Sequence, residues 1–252
     1  MTLEEPIFFF NGQGDILAGV LHHPPAGESF GAVILCHGME SNKNSEKLVL
    51  LSRSLAQRGI LTLRFDFCYV GESSGEFADI TYGGEVEDLH AAYGLLQHRQ
   101  PGKIAILGSS MGGTVALMFA AQEPSVAALV TIAAPLHPEN FSKRVLTPLQ
   151  FQQWREQGFT IYNGQRLNVT LLDELETINV PELVRQIHCP VLILHGDADE
   201  VIPVEEAYEL HRCLTTSKRL SILKDSDHRL SNPAVMQQAI GEALEWLTDH
   251  VR

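Results

Sequence analysis

The stretch that decides the fold is residues 103–123, KIAILGSSMGGTVALMFAAQE. Its apolar run reaches Gly108, and a helix-forming run begins directly after a Gly-x-Ser-x-Gly turn. A strand, a tight turn and a helix in this order form a nucleophile elbow, in which a strained backbone exposes the hydroxyl of the central serine. Gly108 and Gly112 are small enough to let the strand and the helix pass closely. The stretch therefore predicts Ser110 as a nucleophile.

A second match to the same pattern lies at residues 71–75, centred on Ser73. It follows residues 64–70, RFDFCYV, but residues 77–84, FADITYGG, open no helix behind it. The elbow depends on that helix, because the helix start directs backbone N–H groups toward a developing oxyanion. We therefore interpret residues 71–75 as a Gly/Ser loop and assign the nucleophile to Ser110.

Composition and charge restrict the class of protein. The chain has 252 residues, of which 44% are hydrophobic, and its formal net charge is −13. An acidic surface repels phosphate backbones, so we expect no nucleic-acid partner. No apolar run approaches the roughly 18–20 residues that span a bilayer, and Glu4 and Glu5 stand where a signal peptide would be basic. We expect a cytoplasmic protein with no membrane partner.

No metal or organic cofactor is expected. The four cysteines are widely spaced and fit no metal motif, which is typical of small buried hydrophobic residues in a reducing compartment: Cys36, Cys68, Cys189 and Cys213. His195 and Asp197 resemble metal ligands only by residue type.

Strand and helix patterns alternate on both sides of the elbow. Residues 7–10 and 15–21, joined through residues 11–14, predict an N-terminal hairpin. Continuous apolar runs predict buried strands at residues 32–36, 60–65, 103–107, 126–132, 191–194 and 219–223. Helical patterns occur at residues 46–58, 84–97, 111–122, 204–214 and 234–251. This alternation predicts an α/β fold with a mostly parallel central sheet and helices on both faces.

The alternation breaks at about residues 136–186. This segment concentrates aromatic residues, namely Phe141, Phe151, Trp154, Phe159 and Tyr162, and a hairpin is predicted around Asn163-Gly164. The aromatic side chains either pack an inserted subdomain against the body or form the apolar underside of a cap that faces Ser110. We predict one domain over residues 1–252 with a small cap insertion, and Phe141, Trp154 and Tyr162 as substrate-binding residues.

A serine nucleophile needs a base, and the base needs an acid that fixes its tautomer. His228 lies in a polar loop between a strand and the last helix, from which an imidazole can reach over the carboxyl edge of the sheet. Asp197 and Asp199 both follow the apolar run 191–194, and spacing alone does not separate them.

These motifs, in this order along the chain, resemble those of the α/β-hydrolase family. The matching stretches are His37-Gly38, residues 64–75, Gly108–Gly112, His195–Pro203 and Asp227-His228. The resemblance implies the order Ser110, Asp199, His228 for the catalytic triad. It also implies that the backbone N–H groups of Met39 and Met111 form the oxyanion hole.

Within the family, residues 63–75 and the short cap resemble small bacterial esterases, including cinnamoyl and feruloyl esterases. Residues 227–231, DHRLS, instead resemble a branch of acyl-ester and acyl-thioester hydrolases. The resemblance implies a serine hydrolase that cleaves small-molecule carboxylic esters or acyl thioesters, with small to medium apolar or aromatic acyl groups, through an acyl-enzyme. Two alternatives stay open: a serine aminopeptidase of the same fold, with Glu174 and Glu176 as amine-binding residues, and a non-catalytic ligand-binding homologue.

Overall fold

A computed structural model describes residues 3–25, 27, 29–99 and 102–252. In this part of the chain the strands are β1 (Leu3–Phe10), β2 (Ile16–His23), β3 (Ala32–Cys36), β4 (Leu61–Phe65), β5 (Ile104–Ser109), β6 (Val126–Ile132), β7 (Phe159–Tyr162), β8 (Gln165–Asn168), β9 (Val191–Gly196) and β10 (Lys218–Leu223). The helices are α1 (Glu46–Gln57), α2 (Tyr82–Arg99), α3 (Met111–Gln122), α4 (Phe141–Val145), α5 (Pro148–Gln157), α6 (Val169–Leu175), α7 (Val180–Leu183), α8 (Glu205–Cys213) and α9 (Pro233–Val251).

Eight of these strands form one sheet in the order β1-β2-β4-β3-β5-β6-β9-β10. The pairs from β4 to β10 are parallel, whereas the N-terminal hairpin β1–β2 joins the sheet in antiparallel orientation. The predicted mostly parallel sheet is therefore confirmed. The hairpin is longer than predicted, because β1 already pairs with β2 at Leu3, opposite His23.

Separate apolar cores cover the two faces of the sheet, because side chains alternate along each strand. Ile34 of β3 belongs to the core that α2 and α3 complete, and its neighbour Leu35 belongs to the core that α1 and α9 complete. In the central strands β3 and β5, the side chains that enter the two cores are buried and mostly aliphatic. The sheet thus carries helices on both faces, as predicted.

Residues 136–186, which we call the cap segment, lie between β6 and β9. They contain α4 to α7 and the antiparallel hairpin β7–β8, whose two-residue turn has positive φ at Asn163 (48°) and Gly164 (79°). An Asn-Gly pair is suited to such a turn. Buried residues of the cap segment, such as Leu171, belong to the core of the α2/α3 face. The cap segment therefore packs on the face opposite α1 and α9.

No helix in the described residues is long and apolar enough to cross a membrane.

Candidate active site

Ser110 lies between the end of β5 and the start of α3, with φ 53° and ψ −126°. A non-glycine residue in this region of backbone space is strained, and such strain persists only where the surroundings hold it in place. Here the Ser110 N–H donates to Ile132 O at 2.8 Å, and the Ser110 carbonyl accepts from Gly113 N at 2.8 Å. The predicted strand, turn and helix around Ser110 are present in the structure.

Three glycines let the chain pass closely around this turn. A Cβ on Gly108 would lie 2.1 Å from Gly112 O, and a Cβ on Gly112 would lie 2.1 Å from His37 O. The loop after β3 also approaches the turn, since a Cβ on Gly38 would lie 3.0 Å from Ser110 Cβ. Strand, turn and helix therefore tolerate no side chain at Gly108 or Gly112.

Replacing Gly112 with alanine should lower both the melting temperature and the activity. The added methyl group meets a backbone carbonyl that cannot rotate away, and overpacking of this kind costs about 1–3 kcal/mol. Gly94 in α2 is the matched control, because a Cβ there has no neighbour within 4 Å. Alanine at Gly94 should raise stability by about 0.5–1 kcal/mol. Thermal denaturation of both variants checks this, and equal melting temperatures would contradict it.

The elbow serine is hydrogen-bonded to the predicted histidine and, through it, to one of the two candidate acids. His228 Nε2 lies 3.0 Å from Ser110 Oγ, and His228 Nδ1 lies 2.8 Å from Asp199 Oδ2. With Asp199 ionised, Nδ1–H donates to the carboxylate and Nε2 accepts from the serine hydroxyl. This is the arrangement in which an imidazole can take the serine proton.

Asp199 is surrounded by donors. Its side chain is buried; Oδ1 accepts from the N–H groups of Val201 (2.9 Å) and Ile202 (2.8 Å), and Oδ2 lies 3.3 Å from His195 Nε2. Burial favours the neutral acid, but the hydrogen bonds from His195, His228 and the Ile202 N–H outweigh it and hold the pKa of the Asp199 carboxyl well below its usual value. Asp199 therefore stays ionised beside His228.

Asp197 has a different position. It is exposed, and its Oδ1 accepts from Asp225 N at 2.6 Å, so it stabilises the loop after β10. Of these two aspartates, both of which the structure describes, only Asp199 has a side chain that contacts His228. The two carboxylates that spacing could not separate are separated by geometry.

Met39 and Met111 both border the cavity beside Ser110. Met111 is the first residue of α3, and Met39 follows Gly38 in the loop after β3. His37, which is buried, holds that loop: Nδ1 donates to Gly38 O at 2.9 Å, and Nε2 accepts from Phe67 N at 3.1 Å. Burial lowers the pKa of His37, against the hydrogen bond to Gly38, so this ring favours its neutral form.

Above Ser110 the structure has a cavity of about 470 Å³. From the cap segment Phe141, Arg144, Val145 and Tyr162 line it. The Phe141 and Tyr162 rings pack edge to face, with centroids 5.3 Å apart. These two predicted substrate-binding residues thus lie at the cavity.

The third predicted substrate-binding residue, Trp154, does not lie at the cavity. Its side chain is fully buried and is not among the described residues that line the cavity. Its ring packs against Phe141, with centroids 6.4 Å apart, one layer behind the cavity wall. The prediction of Trp154 as a substrate-binding residue is therefore corrected: α5 turns this side chain into the core between the cap segment and the body.

Ser73 lies in the loop after β4, as interpreted from the sequence. Its hydroxyl donates to Asp66 O at 2.6 Å and accepts from Ala18 N at 2.9 Å, so it ties this loop to β2. The second Gly-x-Ser-x-Gly match is thus a structural loop.

Three residues around the site were missed as functional residues from the sequence. His37 and His195 each come before a glycine at the end of an apolar strand, and this shared position was the available signal for a supporting role. Lys47 of α1 lines the same cavity, and its Nζ donates to Ser109 Oγ at 2.7 Å. No local pattern marks Lys47.

The family model of the α/β hydrolase fold matches residues 31–175, and the chain therefore belongs to the α/β hydrolase family. The bovine (Bos taurus) palmitoyl-protein thioesterase ABHD10, a mitochondrial protein, is 26% identical over 220 residues, which are 81% of this chain and 69% of that protein. The esterase domain of a Rhodothermus marinus protein superposes with a TM-score of 0.79 at 26% identity, covering 99% of this chain and 100% of that one.

Est1E from Butyrivibrio proteoclasticus, solved with bound ferulic acid, has the same fold: the TM-score is 0.84 at 24% identity, covering 96% of this chain and 99% of that one. The protein is thus an α/β-fold hydrolase with esterase-like neighbours and distant thioesterase relatives. The resemblance drawn from the sequence motifs is confirmed.

Proposed function

We propose that this protein is a serine hydrolase that cleaves carboxylic esters or acyl thioesters of small to medium apolar or aromatic acyl groups. The observation that carries the proposal is the hydrogen-bonded chain from Ser110 Oγ to His228 (3.0 Å) and from His228 to Asp199 (2.8 Å), which opens on a cavity. Esterase and thioesterase relatives support the same chemistry.

In the proposed mechanism Ser110 Oγ attacks the carbonyl carbon while His228 Nε2 takes the hydroxyl proton. The N–H groups of Met39 and Met111 donate to the oxyanion of the tetrahedral intermediate. That intermediate collapses, and His228 gives its proton to the departing alcohol or thiol. Water then attacks the acyl–Ser110 ester with His228 as base, which releases the carboxylic acid and restores the serine.

The acyl group is proposed to lie under the cap segment. Phe141, Val145 and Tyr162 offer apolar contacts there, and a cavity of about 470 Å³ falls within the range of small-molecule sites. The same cavity limits the length of the acyl chain. This supports small to medium acyl groups or a single aromatic ring.

The aminopeptidase alternative is weakened by the positions of its two glutamates. Glu174 accepts hydrogen bonds from Tyr82 N (2.7 Å) and Gly83 N (2.6 Å) at the start of α2, and Glu176 is paired with Arg155. Neither carboxylate is free to bind a substrate amine. A purely ligand-binding role leaves the strained backbone of Ser110 without a purpose.

Acyl-chain length should affect kcat/KM. Burial of each added methylene contributes about 0.8 kcal/mol of binding free energy. The value of kcat/KM should therefore rise about threefold to fourfold per carbon until the cavity is full. Phe141→Ala removes part of the wall and should flatten this dependence. Initial rates on a series of p-nitrophenyl esters measure it, and a flat profile in the unmodified protein would argue against an apolar acyl site.

Trp154→Ala is the matched comparison and should act on stability. Removing a fully buried tryptophan costs about 3–5 kcal/mol, which thermal denaturation records as a lower melting temperature. At a temperature where the variant stays folded, its chain-length profile should keep the rising slope of the unmodified protein. A flat profile with an unchanged melting temperature would restore Trp154 as a substrate contact.

A panel of acyl esters, acyl thioesters and aminoacyl anilides with one common acyl size tests the proposal. We expect turnover of esters or thioesters and none of the anilides above background. Turnover confined to aminoacyl anilides would favour the peptidase, and no turnover together with no covalent serine labelling would favour the binding protein.

A further inference from the structure

The cavity continues past Ser110 to the side away from the cap segment. There it is lined from the other face of the sheet, by Lys47 of α1, Met236 of α9 and the residues before α9. Since the cap segment packs with α2 and α3, and α1 with α9, Ser110 lies between one end formed by the cap segment and another formed by α1 and α9. A substrate whose acyl group lies under the cap segment would extend its leaving group toward Lys47.

Lys47 brings a positive charge to this end of the cavity. Its Nζ donates to Ser109 Oγ at 2.7 Å, and this partner is neutral. Among the described residues no carboxylate forms an ion pair with it, whereas the nearby Lys43 is paired with both Asp66 and Glu72 at 2.5 Å. A charge removed from water without a counter-ion is unfavourable. An anionic group on a ligand would supply the missing partner.

Charged groups of both signs lie around Lys47. Arg229 and Asp227 flank His228 on the facing loop, and Glu46 is the neighbour of Lys47 on α1. Glu40 forms an ion pair with Arg229 at 3.7 Å. Burial, and secondarily the charge of Arg229, lowers the pKa of Lys47 to about 8, while Asp227 opposes the shift. The amine is therefore largely protonated at neutral pH and loses its charge as the pH rises beyond about 8.

We propose that Lys47 determines specificity by binding an anionic group, a carboxylate or a phosphate, on the leaving-group part of the ester or thioester. The proposal rests on the hydrolase function proposed above. A lysine is a compact point charge and does not distinguish the two anions by geometry. The preferred substrates are thus acyl esters or thioesters of acidic alcohols or thiols.

The test compares S-butyryl-3-mercaptopropionate with its neutral amide, S-butyryl-3-mercaptopropionamide, by detection of the released thiol. The ratio of their kcat/KM values at pH 7 should favour the carboxylate by roughly tenfold or more, as for a charge-assisted hydrogen bond. In Lys47→Met the ratio should fall toward one. Lys143→Met is the control, because Lys143 is an exposed lysine of α4 whose amine contacts Asn140 at 3.3 Å. It should keep the ratio of the unmodified protein.

The ratio should also fall between pH 7 and pH 9, because the amine is charged below its pKa of about 8 and neutral above it. A third substrate, S-butyryl-2-mercaptoethyl phosphate, distinguishes the two anions. For the carboxylate and for the phosphate, kcat/KM is compared with that of the neutral amide. The anion whose ratio falls more in Lys47→Met is the group that binds at this end of the cavity. Lys47→Met should keep a melting transition, which shows that the change is not unfolding.

A ratio of one in the unmodified protein, or an equal ratio in Lys47→Met, would overturn the role of Lys47. Hydrolysis of the neutral amide would then still support the proposed function. If neither thioester is hydrolysed, calorimetric titration of Ser110→Ala with both thioesters tests the anion site independently of the proposed reaction. If Ser110→Ala binds the carboxylate more tightly than the amide, and adding Lys47→Met abolishes this difference, the anion site is supported even though the proposed reaction fails. Equal binding of the two thioesters by Ser110→Ala overturns the anion site.

Discussion

Ser110→Ala is expected to lower kcat for ester hydrolysis by about 10⁶, the scale found when a triad serine is removed. The variant loses the atom that forms the acyl-enzyme, whereas the cavity, His228 and the proposed oxyanion donors stay in place. Residual catalysis of about 10³–10⁴ over water is expected from binding and the oxyanion hole. The methyl side chain of alanine fits the elbow, so the melting temperature should change little. Steady-state kinetics with a p-nitrophenyl ester, corrected for spontaneous hydrolysis, measures the loss.

Ser73→Ala is the control, because Ser73 occupies the same place in the second Gly-x-Ser-x-Gly match. Its hydroxyl bonds only to Asp66 O and Ala18 N among the described residues. Loss of these bonds should cost about 1–3 kcal/mol of stability and leave kcat near that of the unmodified protein. The reverse pattern, an active Ser110→Ala and an inactive Ser73→Ala, would contradict the elbow assignment.

Asp199→Asn is expected to lower kcat by about 10⁴, the scale of the same change in a serine protease. The N–H groups of Val201 and Ile202 donate to Oδ1 of Asp199, so an asparagine would keep its carbonyl oxygen there. Its NH₂ group would then face His228 Nδ1 and donate to it. The proton of the ring would move to Nε2, where it prevents His228 from accepting the Ser110 proton.

Asp197→Asn is the matched control for this carboxylate. Its Oδ1 accepts from Asp225 N at 2.6 Å, and an amide oxygen can accept the same bond. Activity should therefore stay within a few-fold of the unmodified protein, and kcat values for both variants settle the comparison. If Asp197→Asn showed the larger loss, the acid that orients His228 in solution would be Asp197.

The features that could be predicted from the sequence are those determined by neighbouring residues. The elbow around Ser110 depends on an apolar strand, two glycines and a helix within about twenty residues of chain. The Asn163-Gly164 turn is equally local, and the structure has it between β7 and β8. Asp199 was selected over Asp197 only by the family motif, since both follow β9 and only the fold of residues 197–203 determines which carboxylate turns inward.

The remaining features depend on contacts between distant parts of the chain. Lys47 and Ser109 are 62 positions apart, and nothing around either residue indicates their hydrogen bond. Trp154 illustrates the same limit: aromatic enrichment predicted an apolar surface in the cap segment, but not which ring faces the cavity. Phe141 and Tyr162 face it, whereas Trp154 fills the core behind them. Packing of α5 against the body determines that choice.

Covalent labelling with a fluorophosphonate, followed by peptide mass spectrometry, tests whether Ser110 is the activated nucleophile. The reagent modifies a serine only where a base and an oxyanion hole activate it. We expect one adduct on the peptide that contains Ser110 in the unmodified protein and in Ser73→Ala, and no adduct in Ser110→Ala. An adduct on Ser73, or a folded protein that stays unlabelled, would contradict this expectation.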